Sequence, residues 1–174
     1  MLGLCCMAMG DQAPHLAVLW HSRTGAARAL ARAAALGARR AGGRVQLVAA
    51  ARARAETLQG ALAYLFVAPE NLGALSGAMK EMFDRLYYPL LGQIEGRAYA
   101  TIIAAGNAGQ GAEAQIERIV TGWRLRRVAE GMIWRSGITP EPGVLAASRV
   151  DADALARAGA LGATLALGAE AGIF

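Results

Sequence analysis

Apolar positions fall along the chain in two kinds of block: short unbroken runs, and longer stretches with helical spacing. The first run is Leu16-Ala17-Val18-Leu19-Trp20-His21. A continuous apolar run of this length suits a strand buried on both faces, as in a parallel sheet. Ser22-Arg23-Thr24-Gly25 breaks it, and a helix is predicted from Ala26 to about Ala41, where Gly42-Gly43 stops it. Arg44 to Val48 reads as a second strand, residues 49–60 as a weak helix or a loop, and Leu62 to Ala68 as a third buried strand. Pro69-Glu70-Asn71-Leu72-Gly73 reads as a loop because Pro and Gly bracket it. Ser76 stands where it would cap a helix running to about Tyr88, which Pro89 and Gly92 then break. Arg97 to Ala105 is a fourth apolar strand, followed by the glycine-rich loop Gly106-Asn107-Ala108-Gly109-Gln110-Gly111. A helix over Glu113 to Gly122, a fifth strand over Leu125 to Trp134 and a loop over Gly137 to Arg149 come next. A last helix, capped by Asp151 or Asp153, reaches about Leu167.

Strands that alternate with helices need crossover connections, and crossovers make a parallel sheet. Five such units predict an α/β fold with a doubly wound five-stranded parallel sheet in the order 2-1-3-4-5. No repeat, linker or low-complexity tail divides the 174 residues, so one domain is expected over 1–174. Residues 1–14 read as a disordered or irregular N-terminal extension, with Met7 or Met9 as alternative starts. The opening apolar stretch lacks a basic flank, which argues against a secretory signal.

Composition changes this picture little. Hydrophobic residues make up 55% of the chain and charged residues 18%, enough for a sizeable core. No uncharged apolar run reaches the ~18–20 residues of a membrane helix, so no membrane insertion is expected. The two cysteines, Cys5 and Cys6, are adjacent and poorly placed for a disulfide, which fits a reducing, cytoplasmic location. The net charge of +5 is compatible with an anionic partner. However, Arg28, Arg32, Arg39 and Arg40 lie on a predicted helix face and read as solvated, which argues against a nucleic-acid surface.

In open α/β sheets, ligands bind beyond the carboxyl ends of the strands where the strand order reverses. For order 2-1-3-4-5 three loops meet there: Ser22 to Ala27, Pro69 to Gly73 and Gly106 to Gly111. The hydroxyls of Ser22 and Thr24, together with the backbone N–H groups at the start of the next helix, would either cradle a phosphate or serve as an ordinary helix cap, and Gly25 permits the tight turn. Neither a P-loop nor G-x-G-x-x-G follows the first strand. In the second loop, Asn71 and Gly73 would offer backbone groups to a flat ring. In the third, glycine lets a planar ring lie close against the chain.

These loops carry a resemblance. Ser22-Arg23-Thr24-Gly25, the block Pro69-Glu70-Asn71-Leu72-Gly73 leading into Ser76-Gly77-Ala78-Met79-Lys80-Glu81-Met82-Phe83-Asp84-Arg85, and Gly106-Asn107 resemble the flavodoxin-like superfamily. Within it the chain is similar to NAD(P)H-dependent FMN reductases and tryptophan-repressor-binding-protein-like quinone reductases. The resemblance implies FMN, with Ser22, Arg23, Thr24, Gly25, Ala26 and Ala27 at its phosphate. Pro69, Glu70, Asn71, Leu72 and Gly73 would border its ring, with Gly106, Asn107, Ala108 and Gly109 on the pyrimidine side. It also implies an oxidoreductase that takes electrons from NADH or NADPH and passes them to a quinone-like acceptor. The family's phosphate loop ends in Thr where this chain has Ala27, so one hydroxyl is missing. No aromatic stands in the Gly106 to Gly111 loop, which leaves a ring face open to substrate.

Other residues have plainer readings. His21 is expected to pack or hydrogen-bond, His15 to be exposed, and Trp20 and Trp134 to be core or rim. In the related quinone reductases, aromatics from a neighbouring subunit line the pocket, which makes Tyr87 and Tyr88 candidates. Lys80, Asp84 and Arg85 read as helix-face ion pairs. A mean hydropathy of +0.32 predicts a homodimer or homotetramer. Two other functions fit the same sequence: an FMN-binding electron carrier without NAD(P)H activity, and a cofactor-free binding module on the same fold.

Overall fold

The computed structural model describes residues 15–137 and 149–174. Strand β1 (His15–Trp20) leads into helix α1 (Ala26–Arg40) and strand β2 (Val45–Ala49). A short 3-10 turn (Ala50–Arg52) and helix α2 (Ala55–Gln59) fill the stretch that local pattern left open. Then come β3 (Ala61–Asn71), β4 (Ala74–Leu75), α3 (Gly77–Leu90), β5 (Ala98–Ala105) and α4 (Gln110–Gly122). The last elements are β6 (Arg126–Arg127), β7 (Met132–Arg135) and α5 (Ala152–Glu170).

The parallel sheet runs β2-β1-β3-β5, and β6 and β7 both pair with the far side of β5. Counted as sheet positions, this is the expected 2-1-3-4-5, with two short strands sharing the fifth place. Side chains alternate across the sheet as strand geometry requires. Leu16, Val18, Leu65, Val67, Ala100 and Ile102 face α1 and α5, whereas Ala17, Leu19, Tyr64, Phe66, Tyr99 and Ile103 face α3 and α4. Both faces are covered, which explains the unbroken apolar runs.

The structure corrects several expectations. The segment Pro69 to Asn71 is a continuation of β3, and it forms an antiparallel hairpin with β4. Proline is tolerated there because it sits at the last rung of the ladder to β5, opposite Ala104. The fifth strand is broken. Thr101, wholly buried on β5, donates to Glu113 Oε1 (3.2 Å), and Arg127 pairs with the same oxygen (2.9 Å). A Cβ at Gly131 would overlap the Glu113 carboxylate, so only glycine fits where the chain passes it between β6 and β7. His15 is buried, not exposed, as the first residue of β1. Ser76 stands at the N-cap of α3, but its hydroxyl does not cap the helix. The Cys5-Cys6 pair and most of the Gly137 to Arg149 loop lie outside the described residues.

Candidate functional site

The carboxyl ends of β1, β3, β5 and β7 open into one solvent-exposed cleft of about 100 Å³. From the first loop Ser22, Arg23, Thr24, Ala26 and Ala27 line it; from the second, Pro69, Glu70 and Asn71; from the third, Gly106. Three separate segments of chain thus meet where the topology reverses. Gly25, Leu72, Gly73, Asn107, Ala108 and Gly109 belong to the same loops but are not among the lining residues.

In the first loop, Gly25 is the N-cap of α1 and adopts a left-handed conformation (φ +97°). That conformation suits glycine, and it leaves the helix end with no side-chain cap. The Gly25 N–H donates instead to Ser22 Oγ (3.1 Å), which folds the turn over the helix end. No acidic residue stands in the first turn of α1. An uncapped helix terminus, two hydroxyls and the exposed Arg23 make a fitting receptor for a dianionic phosphate. Ala27 is buried, so the position where the family pattern has a hydroxyl is an apolar wall here.

His21, at the end of β1, shares a hydrogen bond with buried Ser76 (Nδ1 to Oγ, 2.9 Å). Burial, and then the charge of Arg23, lower the His21 pKa below its ordinary value. The pair ties the first loop to the start of α3.

The second and third loops are built on each other. The β3–β4 turn places Leu72 (φ +54°) and Gly73 (φ +73°) both at positive φ, the pattern of a type I′ hairpin. This directs the fully exposed Leu72 side chain outward. Glu70 points the other way, to the start of α4. Gly109 N–H donates to its Oε2 (2.6 Å), and Gly111 and Ala112 N–H donate to its Oε1 (3.0 and 3.3 Å). Leu75 N–H donates to Gln115 Oε1 of α4 (2.9 Å). On the opposite side, Arg135 Nε donates to the Ala108 carbonyl (2.8 Å).

Four lining residues escaped the sequence reading as site residues: Ala104, Ala105, Trp134 and Ser136. Trp134 stands opposite Ala104 in the β5–β7 ladder, at the carboxyl end of its strand. That position was the available signal. The indole therefore supplies an aromatic wall that the third loop lacks, and its Nε1 donates to Asp151 Oδ2 (2.8 Å). Asp151 also accepts from Ala154 N–H (2.8 Å), and so is the cap of α5. Tyr87 stacks on Trp123 (6.0 Å between rings), whereas Tyr88 is 79% exposed. Lys80 pairs with Asp84 along α3, and Arg85 with Glu81, as the helical spacing suggested. Among the described residues no cluster of His, Cys, Asp and Glu is placed to hold a metal, and no helix is long and apolar enough to cross a membrane.

A parallel sheet in this order with a polar cleft at its switch point defines a flavodoxin-like mononucleotide-binding architecture, and known structures agree. An archaeal flavodoxin superposes with a TM-score of 0.72 over 90% of this chain and 99% of its own, at 16% identity. A WrbA-like flavodoxin from Agrobacterium tumefaciens gives 0.68 over 91% and 98%, at 19% identity. Rubredoxin oxygen:oxidoreductase from Desulfovibrio gigas gives 0.74 over 94% of this chain but 38% of its own, at 12% identity. At such identities the likeness establishes the fold. No curated protein matches the chain by sequence. The family model of the NADPH-dependent FMN reductases matches residues 38–131, more than half of the chain, and the chain belongs to that family. It is therefore an FMN-binding flavoprotein oxidoreductase, and NAD(P)H is the donor that the family name implies.

Proposed function

We propose that FMN binds in the cleft between β1, β3 and β5 and that the protein reduces quinones or similar acceptors at the expense of NAD(P)H. The uncapped N-terminus of α1 beside Ser22 and Thr24 carries this reading. Phosphate there would place the attached ring toward Pro69, Glu70, Asn71 and Gly106, the lining residues of the other two loops. When bound, the flavin supplies the two-electron chemistry, and the chain supplies grip and orientation. Ser22, Thr24 and Arg23 hold the charged tail. Ala104, Ala105 and Gly106 keep one wall low, and Trp134 closes another. A homodimer or homotetramer in a cytoplasmic setting is part of this reading, supported by the chain's mean hydropathy of +0.32.

Titration of the purified protein with FMN and with riboflavin, followed by flavin fluorescence, tests the reading. FMN is expected to bind at least about tenfold more tightly than riboflavin, and Ser22→Ala is expected to shrink that margin. Holoprotein is expected to oxidise NADPH in the presence of a quinone. Binding without turnover across a range of acceptors would make it an electron carrier. Equal affinity for the two flavins would remove the phosphate site.

A further inference from the structure

Helix α1 begins at this cleft and α4 at the end of the third loop, and both begin with a left-handed glycine: Gly25 before α1 (φ +97°) and Gly109 before α4 (φ +104°). Each end is positive and offers backbone N–H groups, so each is suited to an anion. They differ in what meets them. At α1 the N-cap is a glycine with no side chain of its own to cap the helix, and Ser22 Oγ accepts only the Gly25 N–H. At α4, the Glu70 carboxylate accepts the N–H groups of Gly109, Gly111 and Ala112.

Glu70 belongs to the second loop and these N–H groups to the third, so this contact joins the two segments assigned to the flavin ring. Their backbones also touch: a Cβ at Gly111 would overlap the Gly73 carbonyl of the hairpin turn. From the far side, a Cβ at Gly109 would overlap Ile133 of β7. The start of α4 is therefore wedged between hairpin and sheet, with Glu70 fastening it on the hairpin side and Arg135 holding Ala108 on the other.

We propose that Glu70 is a positioning residue with two effects. It holds the two ring-bordering loops at a fixed separation. It also fills the second anion-binding helix end, so that a flavin phosphate has one place to go, at α1. The inference rests on the FMN reading above, but its first effect is measurable without flavin.

Three variants of the full chain test it: Glu70→Ala, Glu70→Asp and Glu70→Gln. The shorter Asp does not reach all three donors. Gln keeps one carbonyl oxygen for Gly111 and Ala112 but turns an amino group or nothing toward Gly109. Amide hydrogen exchange at Gly109, Gly111 and Ala112 is expected to accelerate by about tenfold or more in Glu70→Ala, as expected for lost bonds to a charged acceptor. Glu70→Asp should follow it, and Glu70→Gln should lie between it and wild type, while strand β1 stays protected. Riboflavin and FMN affinities are expected to fall by a similar factor in Glu70→Ala, because the ring loops and not the phosphate grip are loosened. Inorganic phosphate should then compete with FMN more strongly than in wild type, through the newly opened end of α4. Glu70→Gln removes a negative charge beside the cleft and is expected to shift the midpoint potential of bound FMN upward, which a purely structural tie would not do.

Unchanged exchange in Glu70→Ala overturns the proposal, whether or not flavin binds. A loss of FMN affinity with riboflavin affinity intact would also overturn it, by placing Glu70 in the phosphate grip. Wild-type protein that binds neither flavin would overturn the FMN reading instead, and the exchange result would still decide the tie between the loops.

Discussion

The two faces of the sheet are packed by opposite means. On the α3/α4 face, large side chains fill the space: Phe66, Phe83 and Trp123 form a chain of tilted rings (5.2 and 5.5 Å between centroids), with Met79 and Met82 beside them. On the α1/α5 face, the helices meet almost backbone to backbone. A Cβ at Gly37 of α1 would overlap the Gly159 carbonyl of α5, and one at Gly162 would overlap the Ala34 carbonyl. Ala31, Ala34, Ala38 and Ala158 complete that contact, all buried. One face derives its stability from apolar bulk. The other derives it from close approach, which fixes the position of a helix more tightly than it adds buried area. The helix so fixed is α1, whose first turn opens on the cleft. A helix expected to grip a phosphate by its backbone is held in place by its backbone.

The largest expected effect that tests this contrast is on the aromatic face. Trp123 is fully buried between α3 and α4, and its Nε1 donates to the Tyr87 carbonyl (3.0 Å). Trp123→Ala removes the ring and leaves a cavity that neighbouring rings cannot fill, for a loss of about 3–5 kcal/mol. Urea unfolding of the purified variant measures it. A loss below about 1 kcal/mol would mean that this face repacks freely, and the contrast would fail.

Next in size is the same small change made on each face. Gly→Ala in an ordinary helix gains up to ~1 kcal/mol from propensity. Gly37→Ala should reverse that sign, because the methyl group meets backbone that has no rotamer to yield, and a net loss of about 1–3 kcal/mol is expected. Gly77→Ala, in the first turn of α3 with open space around the added methyl, should gain a few tenths of a kcal/mol. Chemical denaturation of the pair gives both signs in one experiment. If Gly37→Ala is the more stable of the two, the helices are not in the contact described.

The difference between the faces also explains what could be read from sequence. The central strands announce themselves, since Leu62 to Ala68 is apolar throughout and Arg97 to Ala105 nearly so, and so do the three loops that the topology brings together. Glycines 37, 159 and 162 inside helical stretches read only as weak helix formers, because their use lies in a neighbour more than 120 residues away in the chain. The same holds at the site. Glu113, a side chain reaching in from α4, stands where the fifth strand breaks. The role of Glu70 depends on N–H groups about 40 residues further on. Trp134 was visible as a residue, but its place in the cleft followed only once β7 was set against Ala104. Local pattern reports what a segment prefers, and these features are made by contacts between segments.

The smallest effect separates the two faces by pH. At the cleft end each helix layer has a polar tie whose titratable partner is held away from its ordinary pKa: His21 to Ser76 at the start of α3, and Trp134 to Asp151 at the start of α5. Burial foremost, then Arg23, lowers the His21 pKa from 6.5, so the folded protein favours the neutral ring. The unfolded chain takes up that proton first. The stabilisation is therefore complete above pH 6.5, and it fades as pH falls from there through the lowered folded value. Asp151 is held below 3.8, first by the Ala154 N–H and then by the Trp134 indole. Its contribution is intact above pH 3.8 and fades only under more acid conditions. Between pH 8 and pH 5 only the α3 tie should weaken. Stability measured across that range should fall slightly in wild type, and His21→Gln should flatten the part of the slope that His21 supplies, whereas Asp151→Asn should leave the slope unchanged. An NMR titration of the His21 ring, with a midpoint at or above 6.5, would show that the ring is not held neutral and that the α3 face has no tie sensitive to mild acid.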